Sequence, residues 1–271
     1  VLNDAVMKLL FADIDFFQAI FLRGLVSLPP LLILAFMTKT LLQKYSTKNQ
    51  RLIIIRILAE IGTTVTFLTA LKHMPLANVT AILQSLPLAI TMAAAIFLGE
   101  PVGWRRWSAI CVGFTGVLII IRPGLAGFNS YSLLALAAVI LLTVREISTR
   151  QLDNKIPTVT VALSTTLGIT AFAALMLIGT EWADINFASW SLIIAAAAAV
   201  TVATLLSVVA MRTGDIGFVS PFRYTSLIGA IGLGILLFGE WPDGVTLLGA
   251  AIIAFAGIYS LYREQIFNKN V

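Results

Sequence analysis

The sequence predicts an all-α integral membrane protein with ten transmembrane helices, arranged as two inverted five-helix repeats. Of the 271 residues, 59% are hydrophobic and only 11% are charged, whereas a soluble domain carries about 25% charged residues. Apolar runs of about 20 residues, the length that crosses a bilayer, recur along the chain. The second half also repeats a motif of the first. A soluble chain of this size cannot bury so much apolar surface, so lipid must be its solvent.

The apolar runs divide the chain into ten spans joined by short loops. In chain order these are 1–12, 16–38, 52–72, 76–98 and 105–121, then 131–149, 157–179, 189–211, 216–238 and 245–262. The first run is too short to cross a bilayer and the chain begins with Val, so we expect roughly ten residues of the first helix to be missing. A break at Arg122-Pro123-Gly124 separates two halves, 1–124 and 125–271.

The two halves carry the same motif at an offset of 140 residues. Ala70-Leu71-Lys72-His73-Met74-Pro75 precedes a span that closes with Leu98-Gly99-Glu100. Ala210-Met211-Arg212-Thr213-Gly214-Asp215 precedes a span that closes with Phe238-Gly239-Glu240. Because each half has an odd number of spans, the halves must be inverted relative to each other. Duplicated membrane halves are typical of secondary transporters, which bind their substrates between the repeats.

The charged loops agree with this inversion. If the first helix begins in the cytoplasm, the inner loops and the C-terminal tail hold eleven lysines and arginines, against Lys72 and Arg122 outside. The positive-inside rule therefore places both termini in the cytoplasm. The basic loop 100–106 corresponds to loop 240–244, which lacks cations. Homologous loops on opposite faces of a membrane are expected to differ in this way.

The composition also limits the function classes. One Cys and one His leave no disulfide framework and no thiolate or imidazole metal cluster, and we expect no cofactor. The net charge of +5 comes from cations scattered between apolar runs, which fits membrane orientation better than nucleic-acid binding.

Several charged residues lie inside the apolar spans, where each costs about 2.5–3.5 kcal/mol and needs a partner or a wet cavity. They are Asp4, Lys8, Arg23, Arg56, Glu60, Arg145, Glu146 and Arg223. Asp4 and Lys8, like Glu146 and Arg150, have the i, i+4 spacing that pairs opposite charges on one helix face. These groups either neutralise each other as ion pairs or face a central cavity as substrate anchors and proton sites.

The individual charges favour different roles. Glu146 is the better proton candidate in its span, because we expect the adjacent Arg145 to point elsewhere on the helix. For Glu60, a site role and a structural role stay open. Arg56 lies one turn from the basic loop and is expected to snorkel to the interface. Arg23 is expected to have a structural role, paired with Asp4 or Glu60.

Prolines interrupt the fourth and ninth spans at corresponding places, in Gln84-Ser85-Leu86-Pro87 and Pro221-Phe222-Arg223-Tyr224. At offset 140, Gln84 corresponds to Tyr224. Broken helices at matching positions in two halves indicate a binding site. We therefore expect Arg223 to hold a substrate carboxylate, with Tyr224, Phe222 and Gln84 around the substrate. The alternative for Arg223 is that it reaches the cytoplasmic interface.

Taken in order, these motifs resemble the EamA family of the drug/metabolite transporter superfamily. The resemblance covers the whole chain as two EamA repeats, and its carriers are Asn3-Asp4-Ala5-Val6-Met7-Lys8, Phe21-Leu22-Arg23, the motif before the fourth span and the two Gly-Glu motifs. It implies inverted five-helix halves, alternating access and a cavity walled by the third, fourth, eighth and ninth helices. The first motif is similar to a branch suspected of carrying S-adenosylmethionine, riboflavin or amino acids.

The leading hypothesis is a secondary active transporter of a small polar or zwitterionic organic metabolite in a bacterial inner membrane. The anionic part of the substrate would meet Arg223, Lys8 or Arg145. An amine or a coupling proton would meet Asp4, Glu60 or Glu146. We expect a small-molecule substrate, the lipid bilayer and a monomer or homodimer. The alternative is an intramembrane enzyme acting on a lipid or small metabolite, but no nucleophile–base pair or metal motif supports it.

Overall fold

The computed structural model describes residues 1–40, 45–124, 128–153, 155–213 and 224–269, without the side chains of 204, 205, 207–213 and 264–269. Within these ranges the regular secondary structure is helical and includes no strand. The helices are α1 (Leu2–Leu10), α2 (Phe16–Met37), α3 (Thr47–His73), α4 (Leu76–Leu83), α5 (Leu86–Phe97), α6 (Trp104–Ile121), α7 (Tyr131–Arg150), α8 (Thr158–Met176), α9 (Phe187–Thr213), α10 (Thr225–Phe238) and α11 (Gly244–Lys269).

Counting α4 and α5 as one, the described residues form ten helical segments, which confirms the predicted all-α membrane fold of ten helices. In the same part of the chain, seven segments are long and apolar enough to cross a membrane by length and composition, and α9 and α10 contain shorter apolar stretches. Several ends differ from the prediction by a few residues, and two differ clearly: α3 begins at Thr47 and α11 extends to Lys269. The residues at these two helix ends are polar, so apolar runs alone did not predict that the helices extend this far. The first part of the predicted ninth span, residues 216–223, lies outside the described residues.

The predicted break in the fourth span is confirmed. The helix α4 ends at Leu83, and α5 begins at Leu86 with Pro87 in its first turn. A proline fits there because the first-turn N–H groups have no acceptor within the helix. The corresponding prolyl break at Pro221 lies outside the described residues.

The chain forms two compact units, and each unit draws on both halves of the sequence. The first, called the α2–α8 unit, comprises Leu2–Leu68 and Val144–Val209. The second, called the α6–α11 unit, comprises Val1, Thr69–Thr143 and Ala210–Val271. The compact units therefore interleave the two sequence halves.

In the α2–α8 unit, the helices α2 and α8 pack along each other. A side chain at Gly24 would collide with Thr170 of α8, so the glycine permits this close approach. The buried Gln18 of α2 fixes the segment before α9, since its Nε2 donates to Ala183 O at 2.9 Å and its Oε1 accepts from Ala183 N at 3.0 Å.

In the α6–α11 unit, α6 packs against α11, and α4 packs against α10. The α6–α11 contact is closest at two facing glycines. A Cβ on Gly116 would lie 2.8 Å from the carbonyl oxygen of Gly249, and a Cβ on Gly249 would lie 2.7 Å from that of Gly116. Backbone therefore meets backbone at this crossing, as small residues allow between membrane helices.

Two acidic residues organise helix starts in the α6–α11 unit. Glu240, which closes the second copy of the repeated motif, accepts a hydrogen bond at 2.9 Å from the backbone N–H of Leu76 in the first turn of α4. Asp243 accepts one at 2.8 Å from the backbone N–H of Thr246 at the start of α11, and it pairs with Arg122. Hydrogen bonds from Thr246 and from Arg122 hold the pKa of the Asp243 carboxyl low, at about 2, although partial desolvation opposes them.

Candidate functional site

Three of the charged residues predicted inside the membrane meet on α3 and α7 of the α2–α8 unit. The Arg145 Nη1 donates to Glu60 Oε2 at 2.7 Å. The same guanidinium donates through Nε and Nη2 to Glu146 Oε1, at 3.2 and 2.5 Å. One arginine thus holds two carboxylates, one from its own helix and one from α3. These three residues are called the Arg145 network.

The Arg145 network lies at different heights on its two helices. Glu60 is the middle residue of α3, about 20 Å from either end at 1.5 Å per residue, whereas Arg145 and Glu146 lie in the last two turns of α7. The side chains are nevertheless partly accessible, with relative exposures of 18% for Glu60, 21% for Arg145 and 22% for Glu146. Charged groups at such depth face a wet cavity or a partner rather than lipid. This network has both a partner set and exposed surface.

The expectation that Arg145 points away from Glu146 is wrong. Neighbouring residues leave a helix in different directions, but a long arginine side chain bends back far enough to reach an adjacent carboxylate. The positive charge is drawn there because Glu60 also approaches from α3. Glu146 therefore belongs to the same network as Glu60.

Arg56 extends the cluster on α3. Its Nη1 donates at 2.7 Å to the hydroxyl of Thr149 on α7, and that hydroxyl in turn donates to the Arg145 carbonyl oxygen at 2.7 Å. The Arg56 Nε is buried without a hydrogen-bond partner among the described residues. The guanidinium also interacts electrostatically with Arg145, Glu60 and Glu146. Arg56 thus turns toward α7.

Arg23 of α2 connects the cluster to α1. Its Nη1 donates to Asn3 Oδ1 at 3.3 Å, and the Asn3 amide donates to Asp4 at 3.0 Å. Asp4 and Glu60 attract the Arg23 guanidinium electrostatically. Glu60 consequently has three arginines around it, on α2, α3 and α7. Asp4 and Lys8 lie in the first and last turns of α1.

The residues predicted around the helix breaks lie in the other unit. The Gln84 Nε2 contacts the Ser226 hydroxyl at 2.5 Å, joining the α4–α5 break to α10. Tyr224 is buried, with its hydroxyl packed on Gly257 of α11. This position gives Tyr224 a packing role within the α6–α11 unit. Phe222 and Arg223 lie outside the described residues.

Sequence reasoning missed three polar partners: Asn3, Thr149 and Ser226. Thr149 had a signal, because it lies one turn after Arg145 and so shares its face of α7. Ser226 also had a signal, because it lies two residues after Tyr224, and Tyr224 is the residue that corresponds to Gln84 in the repeat. Asn3 is adjacent to Asp4, but nothing in one sequence ties it to Arg23. Across the described ranges, no group of three or more His, Cys, Asp or Glu residues is placed to hold a metal ion.

The sequence is similar to a family of known transporters over nearly its whole length. The model of a family described as the EamA-like transporter family matches residues 1–122 and 129–263. The chain is similar to a riboflavin transporter of Vibrio cholerae, 31% identical over 73% of this chain and 67% of the relative. It is similar to a riboflavin transporter of Rhizobium johnstonii, 28% identical over 77% of this chain and 69% of the relative.

A third relative is an S-adenosylmethionine uptake transporter of Rickettsia bellii, 26% identical over 70% of this chain and 65% of the relative. The aligned part of the chain thus spans about two thirds of the length of these relatives. Among solved structures, one crystal structure matches with a TM-score of 0.61 at 20% identity, covering 96% of this chain and 87% of the other. That likeness concerns the fold.

Proposed function

This chain belongs to the EamA-like transporter family, and we propose that the Arg145 network is where it engages its substrate and a coupling proton. Membership makes the chain a multi-pass small-metabolite transporter of the drug/metabolite transporter superfamily, since its named relatives are transporters. The alternative of an intramembrane enzyme is not favoured.

One observation carries the proposal: two carboxylates, one of them at the middle of α3, share one guanidinium between two membrane helices. Glu60 and Glu146 can each exchange the contact with Arg145 for a proton or a cationic group, and Glu60 lies at a depth where an ionised carboxylate is costly. A substrate ammonium group and a proton can compete for the same carboxylates. This competition would allow the protein to exchange the substrate for a proton.

The Glu60–Arg145 ion pair also ties α3 to α7, helices that come from different halves of the sequence. Protonating Glu60 removes its charge and so weakens this tie. We propose that alternating access uses this loosening, with residues 1–124 and 125–271 acting as two inverted repeats. The excess of cations in alternate loops supports cytoplasmic termini, and the bacterial relatives support an inner-membrane location.

For the substrate, we propose a small polar organic metabolite, with riboflavin and S-adenosylmethionine as the first compounds to test because relatives carry these names. S-adenosylmethionine has an ammonium group that suits Glu60 and Glu146. Riboflavin has no such group. The network therefore favours a zwitterionic compound.

The test is counterflow in proteoliposomes that hold the purified protein, with labelled S-adenosylmethionine and labelled riboflavin in parallel. We expect exchange in the unmodified protein and a loss of at least about tenfold in Arg145→Gln. The matched control is Arg105→Gln, which removes the same charge at an exposed helix start. Thermal unfolding in detergent verifies that each variant is folded. Exchange that survives in Arg145→Gln would contradict the assignment of the site to this network.

A further inference from the structure

The three arginines around Glu60 differ in how they are paired. Arg145 is engaged directly by Glu60 and Glu146. Arg23 is attracted by Asp4 as well as by Glu60. Arg56 interacts electrostatically with Glu60 and Glu146, but both of these carboxylates bind Arg145 directly. Among the described residues, Arg56 therefore has no carboxylate in direct contact.

The hydrogen bonding of Arg56 leads to the same conclusion. A guanidinium has five N–H donors, and the described residues accept one hydrogen bond from Arg56, through Thr149. That acceptor is a neutral hydroxyl. Buried or half-buried charges are normally paired, because an unpaired charge loses hydration without compensation. The Arg56 guanidinium is half-buried, and its Nε is buried with no partner there.

Arg23 is under-bonded in a similar way. The described residues accept one hydrogen bond from it, a long one of 3.3 Å to the neutral Asn3 amide oxygen. The positive charge of Arg23 lies near Glu60. Arg23 forms no ion pair with a residue in the described part of the chain. An anion near α3 would thus meet two guanidiniums with donors to spare.

We infer that Arg56 binds the anionic group of the transported substrate, so the substrate class contains a carboxylate or phosphate. This inference rests on the proposed function, since it adds the anionic half of a substrate whose cationic half meets the Glu60 and Glu146 carboxylates. A guanidinium suits this role because its planar fork binds carboxylate and phosphate oxygens in pairs. The phosphate of a membrane lipid offers Arg56 the same chemistry.

Matched compounds test the inference. S-adenosylmethionine is compared with its decarboxylated form, and riboflavin 5′-phosphate with riboflavin, by their apparent affinities in thermal stabilisation of the purified protein in detergent. We expect the member with the carboxylate or phosphate group, in at least one pair, to bind about tenfold or more tightly than its partner. Arg56→Gln should abolish this preference, Arg56→Lys should retain part of it, and Arg51→Gln, an exposed arginine on the same helix, should leave it intact.

The remaining outcomes contradict the inference. Equal affinities within both pairs, no stabilisation by either anion, or a preference that persists in Arg56→Gln would each overturn it. The lipid source is tested in nanodiscs of phosphatidylcholine with and without phosphatidylglycerol. If phosphatidylglycerol stabilises the protein through Arg56 while compound preference is unchanged in Arg56→Gln, Arg56 is a lipid anchor and the inference fails. Counterflow of S-adenosylmethionine or riboflavin would then show that the proposed transport function still holds.

Discussion

The Arg145 guanidinium of α7 lies 2.7 Å from the carboxylate of Glu60, the middle residue of α3. This ion pair links helices that are far apart in sequence, and Glu146 shares the same guanidinium. Because one arginine binds two carboxylates, removing the arginine should cost more stability than removing either carboxylate. Losing one carboxylate leaves Arg145 a partner, whereas losing Arg145 removes a directly bound counter-charge from both Glu60 and Glu146.

The first prediction follows from that asymmetry. Arg145→Gln should destabilise the protein more than Glu60→Gln, by about 1–3 kcal/mol, because each side chain is partly exposed and the loss falls below the 3–5 kcal/mol of a fully buried pair. The double variant should cost less than the sum of the singles, since only Glu146 then remains charged. A double-mutant cycle on unfolding in detergent measures the coupling. Strictly additive effects would argue against the pair.

The second prediction concerns the close crossing of α6 and α11. Gly116→Ala should destabilise the protein by about 1–3 kcal/mol, because the added Cβ would press on the Gly249 carbonyl oxygen and force the helices apart. Gly232→Ala is the matched control on α10, where nothing lies within 4 Å of the added Cβ. It should be neutral or stabilising. Thermal unfolding distinguishes the two, and equal stability of both variants would contradict the crossing.

Part of this architecture could be predicted from the sequence. Hydropathy located the spans, and Pro87 located the break between α4 and α5, because a missing N–H acts locally. Glu60, Arg145 and Glu146 could be identified as site candidates because a charged residue within an apolar run is recognised directly in the sequence.

The pairings could not be predicted from the sequence. Nothing in the local spacing shows that Arg145 binds Glu60 of α3, or that Glu240 binds the backbone N–H of Leu76, 164 residues earlier in the chain. Such contacts depend on how helices from different halves pack. The i, i+4 rule also misled the reading of Arg145, since it describes helix faces and ignores the reach of a long side chain.

The third prediction concerns the cap on α4. Glu240→Ala should destabilise the protein by about 1 kcal/mol, because the Leu76 N–H at the helix start loses a charged acceptor. Glu240→Gln retains an acceptor oxygen and should cost less. Glu181→Ala, in an exposed loop, is the control. Thermal unfolding in detergent measures all three, and a neutral Glu240→Ala would show that the cap is dispensable.

The fourth prediction is a pH dependence. The folded-state pKa of Asp243, at about 2, lies below the ordinary value of about 3.9. The ionised carboxylate therefore stabilises the fold above about pH 4, and this contribution is lost as the pH falls toward about 2. The stability gap between the unmodified protein and Asp243→Asn, measured by thermal unfolding, should shrink over that window. Asp184→Asn, at an exposed loop carboxylate, should show no such change.

The most direct test of the central claim, that the Arg145 network couples transport to protons, is accumulation of labelled S-adenosylmethionine by proteoliposomes under an imposed pH gradient. The unmodified protein should accumulate the compound against its gradient. Glu60→Gln should keep counterflow but lose the pH-driven accumulation, because a neutral amide cannot release or bind the proton, while Glu181→Gln should behave as the unmodified protein. Undiminished pH-driven accumulation by Glu60→Gln would contradict the claim.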